Sequence, residues 1–353
     1  MTRHRSSMRY LPFGVWPAAD QAAWNAAIAD GDIFDGRGPA RHWRPATRRT
    51  NVGHYSRWLG FLDNRGALAM PSAPAGRVTA ATVSDFVDVL CSAVAPRTMV
   101  SAVVGLKVMI KAMAPEHDWG WLADVCNRLN TDARPVKDKG PRQRPTAEIY
   151  TAALRALDRL EETKLTRRIE RVAYRDSLML AILAARPLRL RNFASLTLGQ
   201  SLIRLGDGWL ITILGTEVKN GDPVEHLLPA SLHPYLARYL EDIRPAFARQ
   251  GSGSKLWLTY EGAPLADHTI YGRFIIVSKR LLGVAINPHL LRDCAATSLS
   301  TESPAAALAA AALLGHRSFA TTERYYIRAN QLDAGRAVNA SLATITASLK
   351  DAP

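Results

Sequence analysis

The chain has 353 residues, 48% of them hydrophobic, and carries 45 Lys and Arg against 31 Asp and Glu, a formal net charge of +14. That apolar content excludes disorder as the default state and is enough for two packed domains, while the surplus of cations points to a polyanionic partner, nucleic acid first. Cys91, Cys126 and Cys294 form no CxxC pair, and no apolar run reaches the ~18 residues that span a bilayer, which argues against a zinc finger, a disulfide framework and a membrane protein.

Residues 1–45 are rich in Ala, Trp and Arg with weak periodicity, and read as an N-terminal extension to which the pattern assigns no role. Pro12, Pro17 and Asp20 interrupt the short apolar stretch after Arg3, Arg5 and Arg9, which argues against a secretory signal, and the scattered cysteines fit a reducing, cytoplasmic compartment. Residues 46–130 read as a helical domain. Tyr55, Trp58, Leu59 and Leu62 follow i, i+3, i+4, i+7 spacing, and Val83, Phe86, Val87 and Leu90 repeat it behind an expected N-cap at Thr82. A third helix begins near Arg97, with Met99, Val103, Leu106 and Ile110 on one arc. Arg97, Lys107 and Lys111 occupy the neighbouring arc and are candidate contacts to a nucleic-acid backbone, although a solvated helix face has the same pattern.

Residues 131–146 form a seam. Pro135, Gly140, Pro141 and Pro145 keep this stretch out of a core, and Lys137, Lys139, Arg142 and Arg144 make it a basic linker able to lie along phosphates. The net charge is +8 before Thr146 and +6 from there on, so both halves suit one long anionic partner.

Beyond the seam the pattern is mixed. Helices are expected over 147–160, 171–185, 231–243, 268–282 and 289–300, and strands over Trp209–Leu214 and Val224–Leu228 with a Lys219–Pro223 turn between them. Another helix runs from Ser303 and Pro304 to Gly315, and a last amphipathic helix carries Val338, Leu342, Ile345 and Leu349.

Four separated pieces of this half carry chemistry. They are Arg189 within RPLRLRNFASL, Lys219 at the hairpin turn, His289 and Arg292 in HLLR, and His316 and Tyr325 in LLGHRSFATTERYY. Taken singly, each is an ordinary surface feature. On a helix, His289 and Arg292 at i, i+3 share one face and converge on one ligand. Tyr325 lies nine residues after His316, and Tyr326 is turned away from it by about 100° on a helix and is expected to pack.

The ordered set Arg, Lys, His, Arg, His, Tyr resembles the tyrosine recombinases, or phage-type integrases, over roughly residues 147–330, with 46–130 similar to their core-binding domain. The resemblance implies a mainly α fold with a small β-sheet: an N-terminal all-helical core-binding domain plus a C-terminal mixed α/β catalytic domain, and a helix over 331–353 that docks on a neighbouring subunit or on its own domain. It also implies a site-specific recombinase that cleaves and rejoins double-stranded DNA through a 3′-phosphotyrosine, as a tetramer on DNA, with accessory or sister recombinases as further partners, and with no cofactor and no metal.

Each implied role has a physical reason. Charge gathers on the non-bridging phosphate oxygens in the transition state, where Arg189 and Arg292, assisted by His289 and His316, stabilise it. Tyr325 is the nucleophile, its phenolate favoured by surrounding cations. Lys219 protonates the departing 5′ oxygen. Two positions depart from the family pattern. Asn192 stands where an acidic residue is common, and Asp293 where a histidine commonly follows the second arginine. A type IB topoisomerase and a non-catalytic DNA-binding accessory protein are the alternatives.

Overall fold

A computed structural model describes residues 9–32, 36–68, 73–133, 139–218 and 223–302. The chain divides into two compact units, Met1–Asp138 and Lys139–Pro353. The division falls inside the proline-rich basic seam.

The described part of the first unit is all helical. A 3-10 turn at Phe13–Val15 precedes α1 (Ala18–Ile28), α2 (Pro45–Asn64), α3 (Pro74–Arg77), α4 (Ala80–Ala93), α5 (Pro96–Met113) and α6 (Gly120–Asp132). Proline opens α2, α3 and α5, where its missing N–H leaves no hydrogen bond unmade. The residues expected on the core faces of α2, α4 and α5 are there: Tyr55, Trp58, Leu59, Leu62, Val83, Phe86, Leu90, Met99, Val103, Leu106 and Ile110 are all buried. Trp58 meets Phe86 edge-on at 5.2 Å between centroids. The N-cap of α4 is Thr79, not Thr82. Thr82 is the N3 partner of a capping box in which each threonine hydroxyl accepts the other's backbone N–H, so either residue looks like a cap in the sequence.

The segment from Arg9 onward is part of this core. Leu11 donates its N–H to the Ser56 carbonyl at 3.1 Å, and Trp16 and Trp24 are buried with the helices. Gly60 permits the approach, because a Cβ there would collide with the Arg9 backbone. Asp20 on α1 is fully buried; it accepts the Tyr55 hydroxyl at 2.6 Å and pairs with Arg77 on α3. Burial first, then the Asp20 charge, pushes the Tyr55 phenol well above its ordinary range, so it stays a donor. One carboxylate therefore locks three helices. Asp20→Ala leaves Arg77 charged and buried without its counter-ion and is expected to cost about 3–5 kcal/mol, read as a lower urea midpoint at an unchanged slope.

The second unit begins with α7 (Thr146–Glu161) and α8 (Arg168–Ala185), followed by the short α9 (Leu190–Ala194). The strands β1 (Leu202–Leu205), β2 (Gly208–Ile213) and β3 (Val224–Leu227) come next. α10 (His233–Arg238) runs through a π turn at Tyr239–Ile243 into α11 (Arg244–Phe247), and α12 (Asp267–Leu282) and α13 (Pro288–Glu302) follow. α8 is buried without a break from Tyr174 to Ala184, the mark of a helix surrounded on all sides. α7, α12 and α13 pack on it. Asp176 on α8 is buried between two arginines. Arg175 reaches it at 2.8 and 3.0 Å, and Arg273 of α12 at 2.6 Å. Arg175 also donates to the Leu258 carbonyl at 2.7 Å, so one ionic node joins α8, α12 and the loop between α11 and α12.

The sheet is antiparallel in the order β1-β2-β3. β2 and β3 match the two expected strands, while β1 is an addition made possible by a Gly206-Asp207 turn in which Gly206 adopts φ +57°. Leu202, Ile211 and Ile213 point into the core. The helices expected over 304–315 and 338–349 lie outside the described residues.

Candidate functional site

α8 ends where Pro187 forces Arg186 into an extended conformation (φ −135°, ψ 91°). The chain then turns a corner and re-enters a helix at α9, with Arg189 as its extended N-cap. The corner is tied down at several points. Leu188 is buried. Arg186 donates from Nε to the Leu227 carbonyl of β3 at 2.8 Å and from Nη1 to the Ala185 carbonyl at 2.8 Å. Phe193 of α9 is fully buried, and its carbonyl accepts Trp257 Nε1 at 3.1 Å. Arg189 is thus presented, half-buried, by backbone that cannot drift.

α13 supplies the second cation. Asn287 caps it, its Oδ1 accepting the Leu290 N–H at 2.9 Å. Leu290 and Leu291 are buried, which turns His289 to the exposed side and leaves Arg292 half-buried one turn later. Arg292 Nη1 donates to the Pro187 carbonyl. That bond joins two sequence pieces more than 100 residues apart, because Pro187 lies two residues before Arg189. The segments that bear Arg189 and Arg292 are therefore brought to one corner of the unit, with His289 exposed one turn before Arg292 on α13.

Two further groups meet there that the sequence pattern does not single out. Arg186 is half-buried, and burial lowers its proton affinity from the ordinary arginine value. His226 sits on β3 opposite Ile211. Burial first, then the charges of Arg186 and Arg292, lowers its imidazole pKa from the ordinary histidine value and so favours the neutral ring. Arg186 has a visible signal in the RPLRLR run, whereas a lone histidine in a strand has none.

Lys219, His316 and Tyr325, like Lys137, lie outside the described residues. The remaining basic candidates are distributed between the two units. In the first, Arg97 is exposed and donates to Asn130 Oδ1 at 2.6 Å, Lys107 is half-buried and Lys111 exposed. In the second, Lys139 pairs with Asp293 Oδ2 at 2.7 Å, Arg142 is half-buried, and Arg144 donates to the Pro141 and Gln143 carbonyls at 3.1 and 2.8 Å. The Thr146 N–H donates to Ser298 Oγ at 3.0 Å. The end of the basic seam is therefore stitched along α13, the helix that bears His289 and Arg292. Of the two departures from the family pattern, Asn192 is buried in α9, and Asp293 faces Lys139. Among the described residues, no three His, Cys, Asp or Glu side chains converge to hold a metal, and no helix is long and apolar enough to cross a membrane.

Residues 155–332 match the sequence model of the phage integrase family. The chain belongs to the phage integrase family. Among curated members, tyrosine recombinase XerD of Staphylococcus aureus is 30% identical over 156 residues, 43% of this chain and 50% of that protein. A XerD of Staphylococcus saprophyticus is 28% identical over 155 residues. The matched region spans about half the length of these relatives. Among solved structures, the XerH site-specific recombinase bound to a palindromic difH substrate, a post-cleavage complex, shares the fold with a TM-score of 0.58 at 16% identity, covering 84% of this chain and 81% of that one. The pre-cleavage XerH complex gives 0.53 over 79% and 76%. The mainly helical integrase fold with its small three-stranded sheet is thus the fold of this chain.

The side chain of Lys139 is 59% exposed and that of Asp293 19%. Solvent screens such a pair, so a double-mutant cycle of Lys139→Ala and Asp293→Ala in urea is expected to give a coupling energy of at most about 1 kcal/mol.

Proposed function

We propose that this protein is a site-specific DNA recombinase that cleaves and rejoins double-stranded DNA through a covalent 3′-phosphotyrosine. The Arg292 bond to the Pro187 carbonyl is the observation that carries the reading. It holds the Arg189 and Arg292 segments beside each other, so that two planar cationic donors can serve one phosphate. The family match and the family's recombinase members support the same reading.

In this scheme Arg189 and Arg292 grip the non-bridging oxygens of the scissile phosphate, and His289 and His316 add hydrogen bonds. The Tyr325 oxygen attacks phosphorus and forms the phosphotyrosine ester as the bond from phosphorus to the 5′ oxygen breaks. Lys219 donates the proton that the departing 5′ oxygen takes up, and the phenol proton leaves to a neighbouring base. A 5′ hydroxyl from a second duplex then attacks the ester, restores the phosphodiester and releases Tyr325. The phosphotyrosine conserves the energy of the broken bond, so neither a nucleotide cofactor nor a metal is required. Residues 46–130 act as the DNA-gripping core-binding domain and 147–330 as the catalytic domain, and four copies assemble on paired sites, the 331–353 helix docking between them. The work is cytoplasmic, on nucleoid DNA, and serves a mobile element or chromosome maintenance.

A duplex nicked beside the cleavage site, recovered by footprinting DNA that flanks the protein's own gene, tests this directly. Wild-type protein is expected to form a denaturation-resistant adduct, and Tyr325→Phe none. Arg292→Ala is expected to lose at least about 100-fold in adduct formation while still retarding the duplex in a gel. If the wild type gives no adduct on its bound site, the chain is a binding protein only. For Lys219→Ala, a sulfur atom at the bridging 5′ position, a leaving group that needs no proton, is expected to restore cleavage to within about tenfold of the wild type. No restoration removes Lys219 from the acid role.

A further inference from the structure

We infer that His226 on β3 is a further phosphate-binding residue of this site, offering an imidazole N–H to a non-bridging oxygen of the scissile phosphate. The inference rests on the recombinase reading above and assigns it a residue that lies outside the six-residue set drawn from the sequence.

Placement comes first. β3 is an edge strand, paired only with β2 among the described residues. His226 lies opposite Ile211, and Val224 opposite Ile213. Residues directly opposite in an antiparallel pair share a face. Ile211 and Ile213 are buried, so His226 is on the core side, while Glu225 and Leu227 are exposed on the other. The Arg186–Arg189 corner closes on the same strand, because the Arg186 guanidinium bonds the carbonyl of Leu227, the next residue after His226. Arg292 reaches the corner at Pro187.

The surroundings of the imidazole come next. Among the described residues, two guanidiniums and no carboxylate act on it. No hydrogen bond joins it to any described residue. His233, by contrast, behaves as a structural histidine: its ring nitrogen lies 3.3 Å from the Leu228 carbonyl. A half-buried imidazole flanked by cations has a donor to offer, and no described residue receives it. A phosphate between Arg189 and Arg292 supplies that acceptor, and the neutral ring adds a hydrogen bond without adding to the repulsion among the arginines. Such a donor counts most where negative charge grows during attack.

The test uses the full-length protein and single-turnover cleavage of the nicked duplex. His226→Ala is expected to slow adduct formation about 100-fold while binding of intact duplex stays within about threefold. His226→Gln, which keeps a neutral N–H and no charge, is expected to recover at least a tenth of the wild-type rate. A methylphosphonate replacing the non-bridging oxygen that His226 contacts is expected to erase the difference between wild type and His226→Ala in one of its two diastereomers. Cleavage by His226→Ala within about threefold of wild type overturns the inference, as does an undiminished His226→Ala defect on both diastereomers. Should His226→Ala not fold, His226→Gln decides alone: a rate within about tenfold of wild type supports the inference, and a loss as deep as that of Arg292→Ala overturns it. Each overturning result is read against wild-type protein that forms its adduct. A wild type without adduct removes the recombinase reading itself and this inference with it.

Discussion

The hydrogen bond from Arg292 to the Pro187 carbonyl is the constraint around which the second unit is organised. Guanidiniums brought close together repel, and a site that concentrates them needs a scaffold stiff enough to hold them before any anion arrives. Here the scaffold is apolar. Leu188, Phe193, Leu290 and Leu291 are buried around the two segments, and the Arg292 guanidinium joins the segments at the Pro187 carbonyl. Binding a backbone carbonyl fixes the plane of the Arg292 fork, so the geometry is set in advance rather than at the moment of reaction.

The same economy of buried charge recurs away from the site. Asp20 joins α1, α2 and α3 in the first unit, and Asp176 joins α8, α12 and the Leu258 loop in the second. Asp20 accepts from α2 and pairs with α3, and Asp176 is held by Arg175 of its own helix and by Arg273 of α12. A buried ion pair adds little net stability over a well-packed apolar group, but it penalises every arrangement that leaves one partner alone. These nodes therefore specify which helices meet. At the corner beside the site, the described charges that act on His226 are the guanidiniums of Arg186 and Arg292.

Much of the helical framework was legible because burial follows a 3.6-residue stripe. The Tyr55, Phe86 and Met99 faces were read correctly, and prolines at 45, 96 and 288 open helices where a lost N–H does no harm. The first 45 residues were not legible. Their buried groups, Leu11, Trp16, Asp20, Trp24, Ala27 and Ala40, are irregularly spaced, and Trp16 and Asp20 find partners as far along the chain as Tyr55 and Arg77, so no local period exists to find. β1 escaped because four residues carry too little alternation, although Gly206-Asp207 was a usable turn signal. Thr82 was mistaken for a cap because a capping box is reciprocal, and only the backbone path shows which threonine stands outside the helix.

By itself the sequence determined the two-unit organisation, the basic seam, and the spacing of the HLLR, LLGH and TTERYY pieces that marks the family. These are local facts, set by side-chain order along a few turns of chain. Only the tertiary structure decided that Arg186 and His226 stand near Arg292, and that Lys139 pairs with Asp293. Those neighbours come from β3, α13 and the end of the seam, and their distances are set by how layers pack across the core, which no window of sequence contains.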